Sequence, residues 1–274
     1  MTETPAPDKP SAQPEVAARL ASTMLLLRES ADGMEIFMVV RHHEIDFASG
    51  ALVFPGGSVE PGDRAIAGRP ELFAGGEGID PDVLALRIGG VRETFEECGI
   101  LLARPRGSTA LVGAERLKAI DEARRADLDA GKISFADLVA AEDLVLALDL
   151  LVPFAHWITP VRMPKRFDTH FFLAVAPADQ VGVHDGKETV DSIWIAPQQA
   201  LDEAKSGRFK ILFPTTRNLI KLARSRTAAE AIALARTEPV VTVMPDIVKG
   251  DKGQRQLRIP ADAGYDGVLF DIDF

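Results

Sequence analysis

The stretch Val91-Arg92-Glu93-Thr94-Phe95-Glu96-Glu97-Cys98-Gly99-Ile100 holds three glutamates and an arginine within six positions. On a helix, residues three and four apart share a face. Glu93, Glu96 and Glu97 then project together, while Leu84, Ile88, Val91 and Phe95 mark an opposite, apolar side. Like charges so placed repel one another, and in a cleft the repulsion grows unless a cation lies among them. Hard divalent ions prefer carboxylate oxygen, and Mg²⁺ is commonly held by a few carboxylates together with substrate phosphates. Arg92 is the neutralising neighbour supplied by the chain itself. A solvated acidic helix face is the other reading of these residues taken alone.

Upstream, Phe54-Pro55-Gly56-Gly57-Ser58-Val59-Glu60-Pro61-Gly62-Asp63 runs an apolar segment into a double glycine. Glycines there permit a positive φ and the close backbone approach that a phosphate or metal site needs. Loop and helix together resemble the Nudix box, G-x5-E-x7-R-E-U-x-E-E-x-G-U, where U is aliphatic. Gly57 takes the first glycine and Asp63 the first glutamate position, and Arg92-Glu93, Glu96-Glu97, Gly99 and Ile100 complete the pattern. Thr94 stands at an aliphatic position. Residues 64–91 fill a space where the family has seven, so the box is split by 21 extra residues. Such a split resembles the acyl-coenzyme A diphosphatase subgroup. Trp157-Ile158-Thr159-Pro160 and Arg166-Phe167-Asp168-Thr169-His170-Phe171-Phe172 extend the likeness over about residues 20–225.

The resemblance implies an α/β/α sandwich, α+β in class, with a mixed sheet and the box as a loop–helix–loop. It implies hydrolysis of a pyrophosphate bond in a nucleoside-diphosphate-linked compound, with coenzyme A or acyl-coenzyme A as candidates, and Mg²⁺ or Mn²⁺ as cofactor. Glu93, Glu96 and Glu97 are the implied metal ligands, with a backbone carbonyl at Gly56 or Gly57 as a further one. The implied catalytic set is Glu93, Glu97, Arg92 and a downstream glutamate for which Glu188 is the candidate; a loop surface charge is the alternative for Glu188. The coenzyme A motif upstream of the box is matched at Arg41 and Gly50, but Asp46 stands where it has arginine, which replaces a phosphate clamp by a repulsive charge. Arg162, Lys165 and Arg166 are candidates for binding substrate phosphates, or else a surface patch. The five histidines, His42, His43, His156, His170 and His184, show no metal-ligand spacing along the chain. A non-catalytic Nudix-fold ligand-binding or regulatory module is the alternative function.

Several elements must position these residues. Thr23–Leu27 and Ile36–Val40 read as strands joined across a polar turn, with Ala51–Phe54 as a third. Residues 61–81, rich in Gly and Pro, read as a loop with at most a turn of helix. A helix follows from about Val83 to Cys98, capped by Asp80 or Asp82 and ended by Gly99. Ala114–Ala130 reads as a helix, and Ser134 caps another running through Asp143. Strands are expected at Phe154–Ile158, Thr169–Ala176 and Ser192–Ile195, and helices at Pro197–Ser206 and from Pro214 to about Arg236. Val240–Met244 and Gly267–Ile272 suggest a small β unit. The helical insertion at about 103–150 either shapes the pocket or forms a homodimer contact.

The composition narrows the function classes. With 31 basic and 41 acidic residues among 274, the net charge of −10 argues against gripping a nucleic acid through bulk charge. A single cysteine, Cys98, excludes intramolecular disulfides and Cys-rich zinc sites and fits a reducing, cytoplasmic setting. No apolar run is long enough for a bilayer, so no membrane partner is expected. The proline-rich residues 1–19 read as a disordered leader, leaving 20–274 as one domain.

Overall fold

In the computed structural model the described residues are 16–41, 50–182, 184, 189–250 and 253–272. In chain order the elements are β1 (Arg19–Ser30), β2 (Gly33–Arg41), β3 (Leu52–Val53), β4 (Gly56–Ser58), α1 (Pro61–Ala67), β5 (Phe73–Ala74), α2 (Pro81–Cys98) and β6 (Ala103–Pro105). There follow α3 (Ala114–Asp129), α4 (Phe135–Ala141), β7 (Leu144–Ala147), β8 (Val152–Ile158), β9 (Phe167–Val175) and β10 (Thr189–Ile195). The chain continues through α5 (Pro197–Lys205), α6 (Phe213–Leu222), α7 (Ala228–Thr237), β11 (Thr242–Val243), β12 (Asp246–Lys249), β13 (Arg255–Arg258) and β14 (Leu269–Asp271).

The main sheet runs β10-β2-β1-β9-β8-β11, with β3 added to β2 and β4 added to β1. It is mixed: β1 lies parallel to β9 and β11 parallel to β8, whereas β1–β2, β1–β4 and β8–β9 are antiparallel. Alternation along the strands sends Met24, Leu26, Phe37 and Phe172 to one face and Leu25, Leu27, Met38 and Leu173 to the other. The first face packs on α2, α3 and α4. The second packs on α5, α6 and α7. Helices thus cover both faces, as the sandwich expectation required. The insertion around 103–150 contributes β6 and β7 to a small sheet, β5-β7-β6, which β5 joins from the segment that splits the box, and its side chains extend the core on the α2 face.

The structure corrects three expectations. The glycine-rich stretch 61–81 contains a true helix, α1. Pro61 opens it with φ already set, and the Asp63 carboxylate accepts the Glu60 backbone N–H at 2.8 Å. The helix expected from Pro214 to Arg236 is two, α6 and α7. The break comes where Thr227 turns out of helix and its hydroxyl accepts the Glu230 N–H at 3.1 Å, an N-cap inside the helical pattern. The tail contributes four strands rather than two runs: β11 joins the main sheet and β12-β13-β14 form their own. Of the expected leader 1–19, residues 1–15 lie outside the described residues, and Arg19 already opens β1. No helix among the described residues is long and apolar enough to cross a membrane.

Candidate active site at a glycine corner

Helix α2 starts where the Asp80 side chain accepts the Asp82 N–H and ends on Gly99 in a left-handed conformation. Its middle carries Gly89 and Gly90. A Cβ on Gly90 would lie 2.7 Å from Ser22 Oγ and 2.8 Å from Met24 Sδ, so only a glycine lets the helix sit this close to β1. That approach brings the last two turns over β4, the strand holding the double glycine.

At this corner Gly56 has φ of 153°, and a Cβ there would meet the Ser22 carbonyl oxygen at 2.2 Å. The Gly56 N–H donates to Glu97 Oε2 at 3.0 Å. Glu93 lies against Gly57, where a Cβ would fall 2.4 Å from its Oε1. Two carboxylates of the helix therefore face a backbone corner cleared of side chains. Glu97 is only 7% exposed, so these acids are not a solvated face, and the buried surface of α2 extends past the apolar stripe that its sequence marks.

Arg92 holds the group together. Its Nε and Nη2 donate to the two oxygens of Asp63 at 2.9 and 3.1 Å, and Nη2 also donates to Ser58 O at 3.0 Å. Nη1 donates to Glu96 Oε2 at 2.8 Å, and Nη2 lies 3.0 Å from Glu93 Oε1. Burial works against the guanidinium charge, but the Asp63 bonds and the surrounding carboxylates outweigh it and push the pKa further up. Burial raises the Glu96 pKa, against the lowering pull of Arg92. Asp63, wholly buried, is thus the anchor of Arg92 and the fixer of α1's first turn.

The helical insertion reaches the same place. Arg125 on α3 donates through Nη1 to Phe95 O at 2.9 Å and through Nη2 to Glu96 O. A cation on the carbonyls of a helix end opposes the negative pole there. Its guanidinium also lies 5.4 Å from the Phe95 ring centre. The insertion therefore braces the turn that carries Glu96 and Glu97.

The structure groups Glu93, Glu97, Gly56 and Gly57, with Glu96 drawn to the Arg92 side. The ligand atoms of the three glutamates are not all within 4.8 Å of one another: the Gly56 N–H holds Glu97, while Arg92 draws both Glu93 and Glu96. Arg41 ends β2, and its Nε is buried with no hydrogen-bond partner. Arg162 and Arg166 are not brought to the corner. Arg162 sits in the exposed turn between β8 and β9, across β1 from β4. Arg166 is buried, donating to Val16 O at 2.7 Å and Thr159 O at 3.1 Å, which makes it a tie between chain segments. Glu188, His42, His43 and Asp46 lie outside the described residues. The histidines have no metal-ligand spacing along the chain, yet the fold brings His156 and His170 together in space. With Asp168 they place ligand atoms within 4.8 Å of one another. The spacing is created by strand pairing, and the signal available in the sequence was Asp168-x-His170, two ligands on one strand face.

Comparison with known proteins agrees with this architecture. The model of the NUDT19 Nudix domain matches residues 69–222, more than half of the chain. The acyl-coenzyme A diphosphatase NUDT19 of Xenopus laevis is 25% identical over 225 residues, covering 69% of this chain and 59% of that protein. The human protein of the same name is 28% identical over 213 residues, covering 63% of this chain and 56% of its own length. The chain thus spans about three fifths of the length of these curated relatives. A solved Nudix hydrolase from Alicyclobacillus acidocaldarius superposes with a TM-score of 0.62 at 27% identity, over 79% of this chain and 96% of that one. A split box closed by an arginine-centred network, on a fold and a domain model that agree with it, makes this chain a member of the Nudix hydrolase family in its NUDT19 branch.

Proposed function

We propose that the chain hydrolyses the pyrophosphate bond of a nucleoside-diphosphate-linked compound with the help of Mg²⁺ or Mn²⁺, releasing two phosphorylated products. The observation that carries this reading is the placement of Glu93 and Glu97 against the side-chain-free Gly56–Gly57 corner. Oxygen donors alone, around a cradle that a Cβ would fill, suit a hard divalent ion. Glu93 and Glu97 would hold it, with Glu96 adjacent. Such an ion offsets phosphate charge and lowers the pKa of bound water.

The chain's own residues have separable tasks. Arg92, anchored on Asp63, fixes the directions of Glu93 and Glu96 and prevents their mutual repulsion from unwinding the turn. Arg41, at the end of β2, is the proposed partner of a substrate phosphate oxygen through its guanidinium. Glu188 is the proposed acceptor of the water proton. Coenzyme A and acyl-coenzyme A are the first substrates to test, since the relatives bear the name of acyl-coenzyme A diphosphatases.

The test is product analysis with coenzyme A, acyl-coenzyme A, ADP-ribose, NADH and dinucleoside polyphosphates in Mg²⁺ or Mn²⁺. Turnover of at least one substrate is expected, with Glu97→Gln losing more than about a hundredfold, the scale on which catalytic electrostatics act. Equal turnover by the variant refutes the site. Binding without turnover by the parent chain would favour the ligand-binding module.

A further inference from the structure

A second cluster lies on the sheet away from the glycine corner. His156 on β8 sits directly opposite His170 on β9, and Asp168 lies two residues before His170, hence on the same face. His156 Nε2 is 2.5 Å and His170 Nε2 is 3.6 Å from Asp168 Oδ1. The two imidazoles stack with centroids 3.9 Å apart. The other nitrogen of His156 is 2.8 Å from the Thr242 hydroxyl on β11, which leaves Nε2 for Asp168. A partner on one imidazole nitrogen that orients the other is the usual support of a histidine metal ligand.

The cluster shares the α2 face of the sheet with the glycine corner but stands two strands away from it. His170 pairs with Ser22 on β1, and Ser22 pairs with Gly57 on β4. Two strand spacings, about 10 Å, therefore divide His170 from Gly57. Ser22, between them, is fully buried beneath α2. All three cluster side chains keep partial access to solvent, from 15% for His156 to 28% for His170.

We propose that His156, Asp168 and His170 form a second cation site, selective for a borderline divalent transition ion of the Zn²⁺ class. Two imidazole nitrogens and one carboxylate oxygen are a borderline donor set, unlike the all-oxygen set at the corner. Around a four-coordinate ion with bonds of about 2.1 Å, donors lie about 3.4 Å apart. The observed separations of 2.5 and 3.6 Å bracket that value. Seating the ion parts His156 from Asp168 by under about 1 Å and turns one ring out of the stack. Three protein ligands leave a fourth position for water. The ion would tie β8 to β9 and, through Thr242, steady β11.

The test uses the full chain, stripped with chelator, with Zn²⁺ binding followed by calorimetry and Co²⁺ as an absorbing substitute. In Glu93→Gln/Glu97→Gln, which removes the oxygen site, one equivalent of Zn²⁺ should still bind, and Co²⁺ should show visible absorption bands. His170→Phe keeps the ring stack but deletes the nitrogen, and Asp168→Asn keeps the hydrogen-bonding shape. Each should weaken Zn²⁺ at least about tenfold, and Thr242→Val should weaken it by a similar factor through His156. Near-UV circular dichroism checks folding; if His170→Phe does not fold, Asp168→Asn and Thr242→Val make the same comparison. Failure of the double glutamine variant to bind Zn²⁺, or unchanged affinity in the folded cluster variants, overturns the proposal.

Discussion

Replacing each corner glycine by alanine should separate folding from chemistry. At Gly57 the new Cβ would fall 2.4 Å from Glu93 Oε1 and 2.6 Å from its Cδ. Comfortable contact is about 3.5–4.0 Å, so the carboxylate must retreat by about 1 Å. It is the far end of a flexible side chain, so Gly57→Ala should change stability by less than about 1 kcal/mol. A misplacement of that size near the reacting atoms costs about a hundredfold in rate. At Gly56 the new Cβ would meet backbone: Ser22 O at 2.2 Å and Thr23 Cα at 2.7 Å. Nothing there can retreat without opening the β1–β4 pairing. Backbone strain of about 1–3 kcal/mol adds to overpacking of similar size, so Gly56→Ala should lose about 2–6 kcal/mol. Urea denaturation gives the stabilities, and turnover per mole of native protein gives the rates. Wild-type turnover by Gly57→Ala, or equal stabilities of the two variants, would refute the reasoning.

Asp63→Ala strands the Arg92 guanidinium in a buried setting and should destabilise the fold by about 3–5 kcal/mol, read as a shift in denaturation midpoint. Arg166→Ala should lower stability by about 1–3 kcal/mol, through the lost bonds to Val16 and Thr159, while leaving KM within about twofold. A large rise in KM instead would return Arg166 to the substrate site. Arg125→Ala should lower stability by about 2 kcal/mol and slow turnover by loosening the end of α2; unchanged kinetics would deny the brace. Tyr265 is the sole tyrosine and is held by Trp157 Nε1 at 2.8 Å and Asn218 Oδ1 at 2.6 Å. Burial raises its pKa above the ordinary 10.0. The neutral phenol is favoured in the folded chain, so its contribution is intact below pH 10 and declines above it as the unfolded chain ionises. Phenolate absorbance should therefore stay flat past pH 10 and rise only with unfolding; a smooth titration centred at 10 in the native protein would contradict this.

Local signals carried the elements well. Asp80 and Gly99 mark the ends of α2, and the Ser134-to-Asp137 pattern marks the start of α4, because capping is decided within a few residues. Signals that depend on one residue overriding a trend were harder to see. Glycine content around 61–81 hid α1, although Pro61 and Asp63 announce it. The helical pattern after Pro214 hid the cap at Thr227. The grouping of Glu93 and Glu97 with the double glycine followed from helix spacing and the box pattern. What held them there did not: Asp63 binding Arg92 spans 29 residues, and Arg125 binding Phe95 spans 30. The His156–His170 pair depends on strand register, which is set by packing across the sheet rather than by chain distance.

Because Arg125 reaches out of α3 to the last turn of α2, trimming the inserted segment should weaken the box helix as well as remove the insertion. A shortened chain lacking α3 would keep every box residue and the Gly99 cap, yet leave the glutamate-bearing turn with one fewer tie at Phe95 and Glu96.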